Sequence, residues 1–161
     1  MVYYFAYGSN MDEGQMRERL TEVTGRCGHL PVGSYKIIGG GKITGHLLVF
    51  NKIKYKSEGV GYANIIDSKD SNVEGLIYEI DTHARDRLDC YERYPDHYGR
   101  EEILIKSNFN RNFKCWVYIA NPNMISDGLK PTKEYMKHIF KGKEFLSEEY
   151  RAFLENVETA D

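Results

Sequence analysis

Short apolar runs alternate along the chain with polar segments, and their spacing predicts strands as well as helices. Residues 2–6 form an apolar run that stops at a glycine-containing turn, which is typical of a buried strand. Further strands are predicted over residues 35–38, 47–55, 62–66, 73–80, 101–106 and 114–120. The polar segments 68–72 and 108–112 are short enough to be turns between strands.

Four segments are predicted to be helices, three of them from apolar residues at helical spacing, whereas the first is a short helix weakened by Gly14. They cover residues 12–20, 81–91, 132–141 and 147–157. Asp81 is a suitable N-cap for the second helix, and Pro95 stops any helix near residue 93 or 94. Strands precede helices instead of alternating with them, which favours an α+β domain. We predict one domain over residues 1–161, with a mixed, largely antiparallel and barrel-like sheet flanked by helices.

Length, charge and cysteine usage narrow the class of protein. The chain has 161 residues, about the size of one domain, and a formal net charge of −2, which argues against nucleic acid as a partner. No apolar run could span a bilayer, and the first residues lack the features of a signal peptide. Cys27, Cys90 and Cys115 are expected to be free thiols in a reducing cytoplasm. Monomer and homodimer both stay open.

Neither a nucleotide nor a metal ion is indicated by the motifs. The segment GGGK at residues 39–42 fails the phosphate-loop pattern, because Lys36 and Ile43 stand where a glycine and a Ser or Thr are required. We interpret the triple glycine as a flexible turn or a bulge. The five histidines lack the spacing of a helical zinc site, and there is no C-x-x-C pair.

The first segment with candidate chemistry runs from the first strand into the glycine turn. It consists of Tyr4, Phe5, Ala6, Tyr7, Gly8, Ser9 and Asn10. Consecutive backbone N–H groups in such a turn can hold a carboxylate or a developing oxyanion, and a following helix adds partial positive charge. Taken alone, the segment favours a plainer interpretation, an ordinary strand-to-helix turn capped by Ser9 or Asn10.

The second segment, residues 88–98, carries Glu92 at the end of a predicted helix among three tyrosines. A carboxylate among aromatic rings loses hydration, so its pKa would rise toward the range useful for proton transfer. Taken alone, a surface glutamate paired with Arg93 or Arg87 is the simpler interpretation. His97 in the same segment is expected to be a solvated loop residue.

Together, the two segments resemble the γ-glutamylcyclotransferase-like family, which includes γ-glutamylcyclotransferases, γ-glutamylamine cyclotransferases and AIG2-like proteins. YFAYGSNM at residues 4–11 resembles its signature, and LDCYERYPDHY at 88–98 resembles its "LDxxEG…Y" motif. Downstream, WVYI at 116–119 is similar to a late strand that carries a tyrosine, and KPTKEY at 130–135 to the entry of the penultimate helix. VEGLIY at 73–78 resembles the central strand, so the match spans nearly the whole chain.

The resemblance implies an enzyme that cyclises a γ-glutamyl amine or peptide to 5-oxoproline, without a metal or organic cofactor. It implies that Glu92 is the proton shuttle and that residues 4–10 bind the glutamyl group. The backbone N–H groups of residues 8–10 would meet its carboxylate or the oxyanion, and Tyr7 would line the same pocket. Tyr118 and Tyr135 would contact or orient the substrate. For Tyr98, a structural role packed under Glu92 is about as well supported as a contact with the substrate.

One departure from the family pattern bears on the substrate. The family commonly has Gly after the catalytic Glu, whereas this chain has Arg93. A cation there is expected to depress the pKa of Glu92 or to select an acidic substrate group. Two alternatives stay open: a γ-glutamylamine substrate such as an isopeptide-linked lysine, and a non-catalytic small-ligand-binding domain on the same scaffold. A protein-interaction module ranks third.

Overall fold

Five strands close into a barrel in the computed structural model, which describes residues 1–161. The strands are β1 (Val2–Ala6), β2 (Tyr35–Ile53), β3 (Gly61–Ile80), β4 (Tyr98–Ser107) and β5 (Asn112–Ala120). Their order around the barrel is β1-β3-β2-β4-β5, and β1 closes it by pairing with β5. The β1–β5 pair is parallel and the other pairs are antiparallel. The predicted α+β class with a mixed, barrel-like sheet is therefore confirmed.

The two longest strands replace four that were predicted separately. β2 and β3 have 19 and 20 residues and pair along almost their whole length, with three register shifts. The polar segment 68–72, predicted to be a turn, lies inside β3. Its side chains are exposed or half-buried, and the solvent-facing side of an antiparallel pair accepts polar side chains. The triple glycine lies inside β2 beside the register shift between Ile37 and Gly39, which confirms a bulge and excludes a turn.

Each of the four helices begins after a side-chain N-cap. The helices are α1 (Glu13–Thr21), α2 (Thr82–Tyr91), α3 (Lys133–Phe140) and α4 (Glu148–Glu155), and the caps are Asp12, Asp81, Thr132 and Ser147. Asp12 therefore fills the capping role that the plainer interpretation gave to Ser9 or Asn10, and residues 9–11 form a short 3-10 turn before it. None of these helices has the length and apolar character needed to cross a membrane.

A fully buried arginine joins α2 to the segment that follows α1. Arg87 donates hydrogen bonds to the carbonyl oxygens of four residues: Arg19 (3.1 Å), Glu22 (2.7 Å), Leu30 (2.6 Å) and Pro31 (2.9 Å). A buried charge is tolerated when hydrogen bonds replace its hydration. These bonds fix α1 relative to α2, and the next turn of α2 leads directly to Glu92.

A disulfide joins the same two parts of the chain. Cys27 and Cys90 are bonded, whereas Cys115 is a buried free thiol. The prediction of three free thiols is therefore wrong for two of them. The two residues are 63 positions apart in sequence, and only the packing of the segment after α1 against α2 brings them together. The cytoplasmic location stays a prediction. The three free thiols no longer support it, because two of the cysteines form a disulfide.

Candidate active site

A cavity of about 690 Å³ lies between the loop after β1 and the C-terminal end of α2, with α1, α3 and the β2–β3 hairpin completing its walls. Most of the site residues predicted from the sequence line it. These are Tyr4, Phe5, Tyr7, Gly8, Ser9, Asn10, Glu92, Tyr118 and Tyr135. Ala6 does not reach the cavity, because its side chain is buried in the sheet where β1 pairs with Leu76 of β3.

Glu92 follows the last turn of α2 as its C-cap residue. Its carboxylate lines the cavity and accepts no hydrogen bond from the chain, and the nearest cation is Arg19, with Nη1 3.9 Å from Oε1. Burial raises the pKa of Glu92, and the positive charges of Arg19 and Lys52 only partly offset the rise. The carboxyl group thus combines a free hydrogen-bonding edge with the raised pKa that suits proton transfer.

Neither of the two arginines predicted as partners for Glu92 forms an ion pair with it. Arg87 is buried among backbone carbonyls, and Arg93 is exposed and lines the cavity. Arg93 has φ of 51°, a left-handed conformation that glycine adopts without strain and an L side chain does not. The expectation that Arg93 depresses the pKa of Glu92 is wrong, because that pKa is raised and the opposing cations are Arg19 and Lys52.

The loop after β1 brings free backbone donors to the cavity. The N–H groups of Tyr7 and Gly8 donate no hydrogen bond within the chain. Gly8 also passes close to α3, since a Cβ atom added there would lie 3.0 Å from the hydroxyl oxygen of Tyr135. A side chain at position 8 would therefore displace Tyr135 or move the loop.

The side chain of Asn10 organises the loop. Its Nδ2 donates to the Tyr4 hydroxyl at 3.0 Å, and its Oδ1 accepts from Gln15 at 3.2 Å and from Arg19 at 3.1 Å. Its backbone carbonyl accepts from the Tyr78 hydroxyl at 2.7 Å. Asn10 therefore orients Tyr4 and Arg19 at the cavity wall, and its amide group has its partners within the chain.

Tyr118 is held by a charged pair outside the cavity. Its hydroxyl donates to Oδ1 of Asp89 at 2.6 Å, and Nη1 of Arg100 lies 3.3 Å from the other carboxylate oxygen. The Tyr118 carbonyl accepts a hydrogen bond from the Tyr7 hydroxyl. The chain of contacts from Arg100 to Tyr7 fixes one wall of the cavity.

Tyr135 and Tyr98 both contact the backbone of Ala63 on β3. The Tyr135 hydroxyl accepts from its N–H at 3.2 Å, and the Tyr98 hydroxyl donates to its carbonyl at 2.9 Å. Burial raises the pKa of Tyr4, Tyr7, Tyr98, Tyr118 and Tyr135, so these hydroxyl groups stay neutral at physiological pH. The cavity therefore combines neutral tyrosine side chains with the Glu92 carboxylate.

Two cations of the site were not identified from the sequence. Arg19 lies on the same face of α1 as Gln15, four residues earlier, and this helical spacing was a usable signal. Lys52 continues the inward alternation of Leu48 and Phe50 along β2, and it is only 4% exposed. Strand parity could therefore have placed Lys52 inside the cavity. No group of three or more His, Cys, Asp or Glu side chains is arranged to hold a metal ion.

The barrel with this cavity has the fold of a solved structure named "Gamma-glutamyl cyclotransferase". The two superimpose with a TM-score of 0.81, and the alignment covers 99% of this chain and 89% of that chain at 22% identity. The likeness at this identity concerns the fold alone, and it agrees with the α+β class seen here.

Sequence comparisons identify the family. The family described as "Gamma-glutamyl cyclotransferase, AIG2-like" matches residues 4–143. "Putative gamma-glutamylcyclotransferase MJ1514" of Methanocaldococcus jannaschii is 32% identical over 124 residues, 73% of this chain and 83% of that protein. "Putative gamma-glutamylcyclotransferase CG2811" of Drosophila melanogaster is 39% identical over 49 residues, 30% of this chain and 31% of that protein, so the chain spans about a third of that relative. The chain belongs to the γ-glutamyl cyclotransferase, AIG2-like family, and the predicted class of γ-glutamylcyclotransferase-like enzyme is confirmed.

Proposed function

We propose that the protein cyclises a γ-glutamyl compound to 5-oxoproline and releases the amine, with Glu92 as the proton shuttle. The observation that carries the proposal is the environment of Glu92. Its carboxylate lines a cavity large enough for a small molecule, accepts no hydrogen bond, and has a raised pKa. A largely buried carboxylate that accepts no hydrogen bond and has only one cation, at 3.9 Å, does little to stabilise the fold, which favours a chemical role for it.

The chemistry suits a site with one catalytic carboxylate. The α-amine and the γ-carbonyl belong to the same substrate molecule, so the attack is intramolecular and the protein supplies no nucleophile. Holding the folded conformer of the substrate removes much of the entropic barrier. The walls formed by the loop after β1 and the neutral tyrosines are suited to hold that conformer.

The proposed reaction moves two protons from the α-nitrogen to the leaving nitrogen, both by way of Glu92. Glu92 takes a proton from the α-ammonium group, and the free amine attacks the γ-carbonyl carbon to form the ring C–N bond. The carbonyl electron pair moves onto oxygen, where the free N–H groups of Tyr7 and Gly8 would stabilise the oxyanion. The oxyanion then collapses, the bond to the leaving amine breaks, and protonated Glu92 returns its proton to that nitrogen. The ring nitrogen, which carries two hydrogens and a positive charge after the attack, loses one proton to the Glu92 carboxylate. Glu92 passes this second proton to the released amine, so the products are the neutral lactam and an ammonium ion.

The experiment is a product analysis with a panel of γ-glutamyl dipeptides and γ-glutamylamines. We expect 5-oxoproline and free amine in equal amounts, with no glutamate, because cyclisation does not consume water. Release of glutamate would overturn the proposal in favour of hydrolysis. Tight binding of the panel without any product would favour the non-catalytic alternative.

A further inference from the structure

Four cations that line the cavity take part in no ion pair of the chain. One of them, Lys54, lies 6.0 Å from the ring centroid of Tyr62. The other three, Arg26, Lys52 and Arg93, are grouped around His97. The acidic side chains of the cavity have other neighbours. Glu134 pairs with Lys137 at 3.7 Å, and Asp161 accepts from a backbone N–H at 2.9 Å. The cavity wall therefore carries positive charge that the chain itself does not balance.

His97 shows that the three cations share one region of the cavity. Its Nδ1 lies 2.8 Å from Nζ of Lys52, and its N–H donates to the Arg93 carbonyl at 2.8 Å. Burial lowers the pKa of His97, and the charges of Lys52, Arg93 and Arg26 lower it further. His97 is thus a neutral acceptor for Lys52 and supplies no counter-charge.

Lys52 is the buried member of this group. It is 4% exposed, its ammonium group donates to the Ile53 carbonyl at 2.9 Å, and it lies 5.7 and 5.5 Å from the ring centroids of Tyr62 and Tyr98. Burial lowers the pKa of Lys52, and the negative charge of Glu92 offsets this effect only in part. An ammonium group held away from water with no carboxylate within ion-pair distance is unfavourable, and a bound anion would relieve it.

Arg26 and Arg93 complete the group from the side of α2. Nη1 of Arg26 donates to the Cys90 carbonyl at 2.8 Å, which anchors the guanidinium near Glu92. Arg93 holds a left-handed conformation that disfavours a side chain and suits glycine. Strain of this kind at a cavity wall is typical of a residue with a functional side chain.

We propose that Arg26, Lys52 and Arg93 form a subsite for a carboxylate on the leaving amine, so that the enzyme prefers γ-glutamyl dipeptides whose second residue is acidic. This inference rests on the proposed function, because it places the leaving amine of the γ-glutamyl substrate beside Arg26, Lys52 and Arg93. It also predicts discrimination against γ-glutamylamines without a carboxylate, since these would leave the three cations unbalanced.

The test compares three substrates that differ in leaving-group charge: γ-glutamyl-aspartate, γ-glutamyl-alanine and γ-glutamyl-ethylamide. We expect kcat/KM to fall in that order, by about tenfold or more from the first to the last, as for the loss of a hydrogen bond to a charged group. Arg93→Gln should raise KM for γ-glutamyl-aspartate about tenfold, leave kcat unchanged and hardly affect the ethylamide. Arg93→Gly should have the same kinetic effect and relieve the backbone strain.

The control is Lys69→Gln, which removes an exposed cation on β3 that does not line the cavity. It should leave all three kcat/KM values unchanged. Equal kcat/KM for the three substrates, or an equal loss for all of them in Arg93→Gln, would overturn the subsite. Calorimetric binding of the same compounds separates the two proposals. If no 5-oxoproline forms, tighter binding of γ-glutamyl-aspartate would still support the subsite, and equal affinities would overturn it.

Discussion

Two charged residues of α2, five positions apart, have opposite environments. Arg87 is fully buried, and backbone carbonyls accept four hydrogen bonds from its guanidinium. Glu92 lies at the end of the same helix and accepts none, with its nearest cation 3.9 Å away. The protein therefore gives the fully buried charge four hydrogen bonds and leaves the partly exposed charge with none.

The difference between Arg87 and Glu92 distinguishes a charge that stabilises the fold from a charge that is available for function. A charge with all its hydrogen bonds made holds elements together, and its loss leaves several buried carbonyls without a donor. A largely buried charge that accepts no hydrogen bond adds little to stability and is available to a ligand. Arg87 holds the segment after α1 against α2, and this contact sets Arg19 beside Glu92. The structural charge therefore positions the functional one.

The largest expected effect on stability comes from removing the satisfied charge. Arg87→Met should lower the free energy of unfolding by about 3–5 kcal/mol, because the four carbonyl oxygens lose their donor. Chemical denaturation measures this change. Arg85→Met is the matched control on the same helix, and we expect a change below about 1 kcal/mol because Arg85 makes only a long surface ion pair with Asp86. Equal losses in the two variants would contradict the structural role of Arg87.

A smaller effect is expected from a hydroxyl group in the cavity. Tyr135→Phe removes the acceptor for the Ala63 N–H and should lower the free energy of unfolding by about 1 kcal/mol. We also expect kcat/KM for 5-oxoproline formation to fall by about tenfold, as the substrate loses an orienting group. Tyr3→Phe is the control, since its hydroxyl has no hydrogen bond in the chain and it does not line the cavity. An unchanged rate in Tyr135→Phe would remove Tyr135 from the proposed site.

The smallest expected effect on stability concerns Asp12, whose carboxylate accepts hydrogen bonds from within the chain. Burial acts to raise its pKa, but hydrogen bonds from His138 and from the N–H groups of Gln15 and Gly14 outweigh it and lower the pKa below the usual 3.8. The stability it contributes is therefore present above about pH 4 and lost as the pH falls through the lowered pKa. Asp12→Asn keeps the cap and should remove this part of the acid dependence, below about 1 kcal/mol, while Asp70→Asn should not. Unfolding curves between pH 2 and 6 measure the difference.

The sequence was most informative where local rules decide the structure. All four helices were predicted to within a few residues, three of them from apolar spacing and one of these also from its Asp81 cap, because both signals depend on neighbours in the chain. Strand lengths were less predictable. The polar segment 68–72 indicated a turn, but the pairing of β2 with β3 continues through it. Non-local hydrogen bonds decided that length, and a local pattern contains no information about them.

The candidate site also combines features that the sequence predicted with features that only tertiary contacts decide. The segment 4–10 and Glu92 could be identified because the resemblance covers them, and the structure brings nearly all of these residues to one cavity. The disulfide between Cys27 and Cys90 could not be predicted, because only tertiary packing brings these distant residues together. The charges around Glu92 were also misassigned. Arg93 is adjacent in sequence, yet Arg19 and Lys52 act on the pKa of Glu92 from other elements.

The measurement that tests the account most directly compares wild type with Glu92→Gln for both 5-oxoproline formation and unfolding. Gln keeps the shape but cannot accept and return the proton, so we expect turnover to fall by about 10³-fold or more. Because the pKa of Glu92 is raised by folding, its ionised form opposes stability at neutral pH, and the neutral amide should unfold at the same or slightly higher denaturant concentration. Lost activity with retained stability is the predicted result. Retained activity, or loss of activity together with loss of folding, would contradict the claim that Glu92 is a functional and not a structural charge.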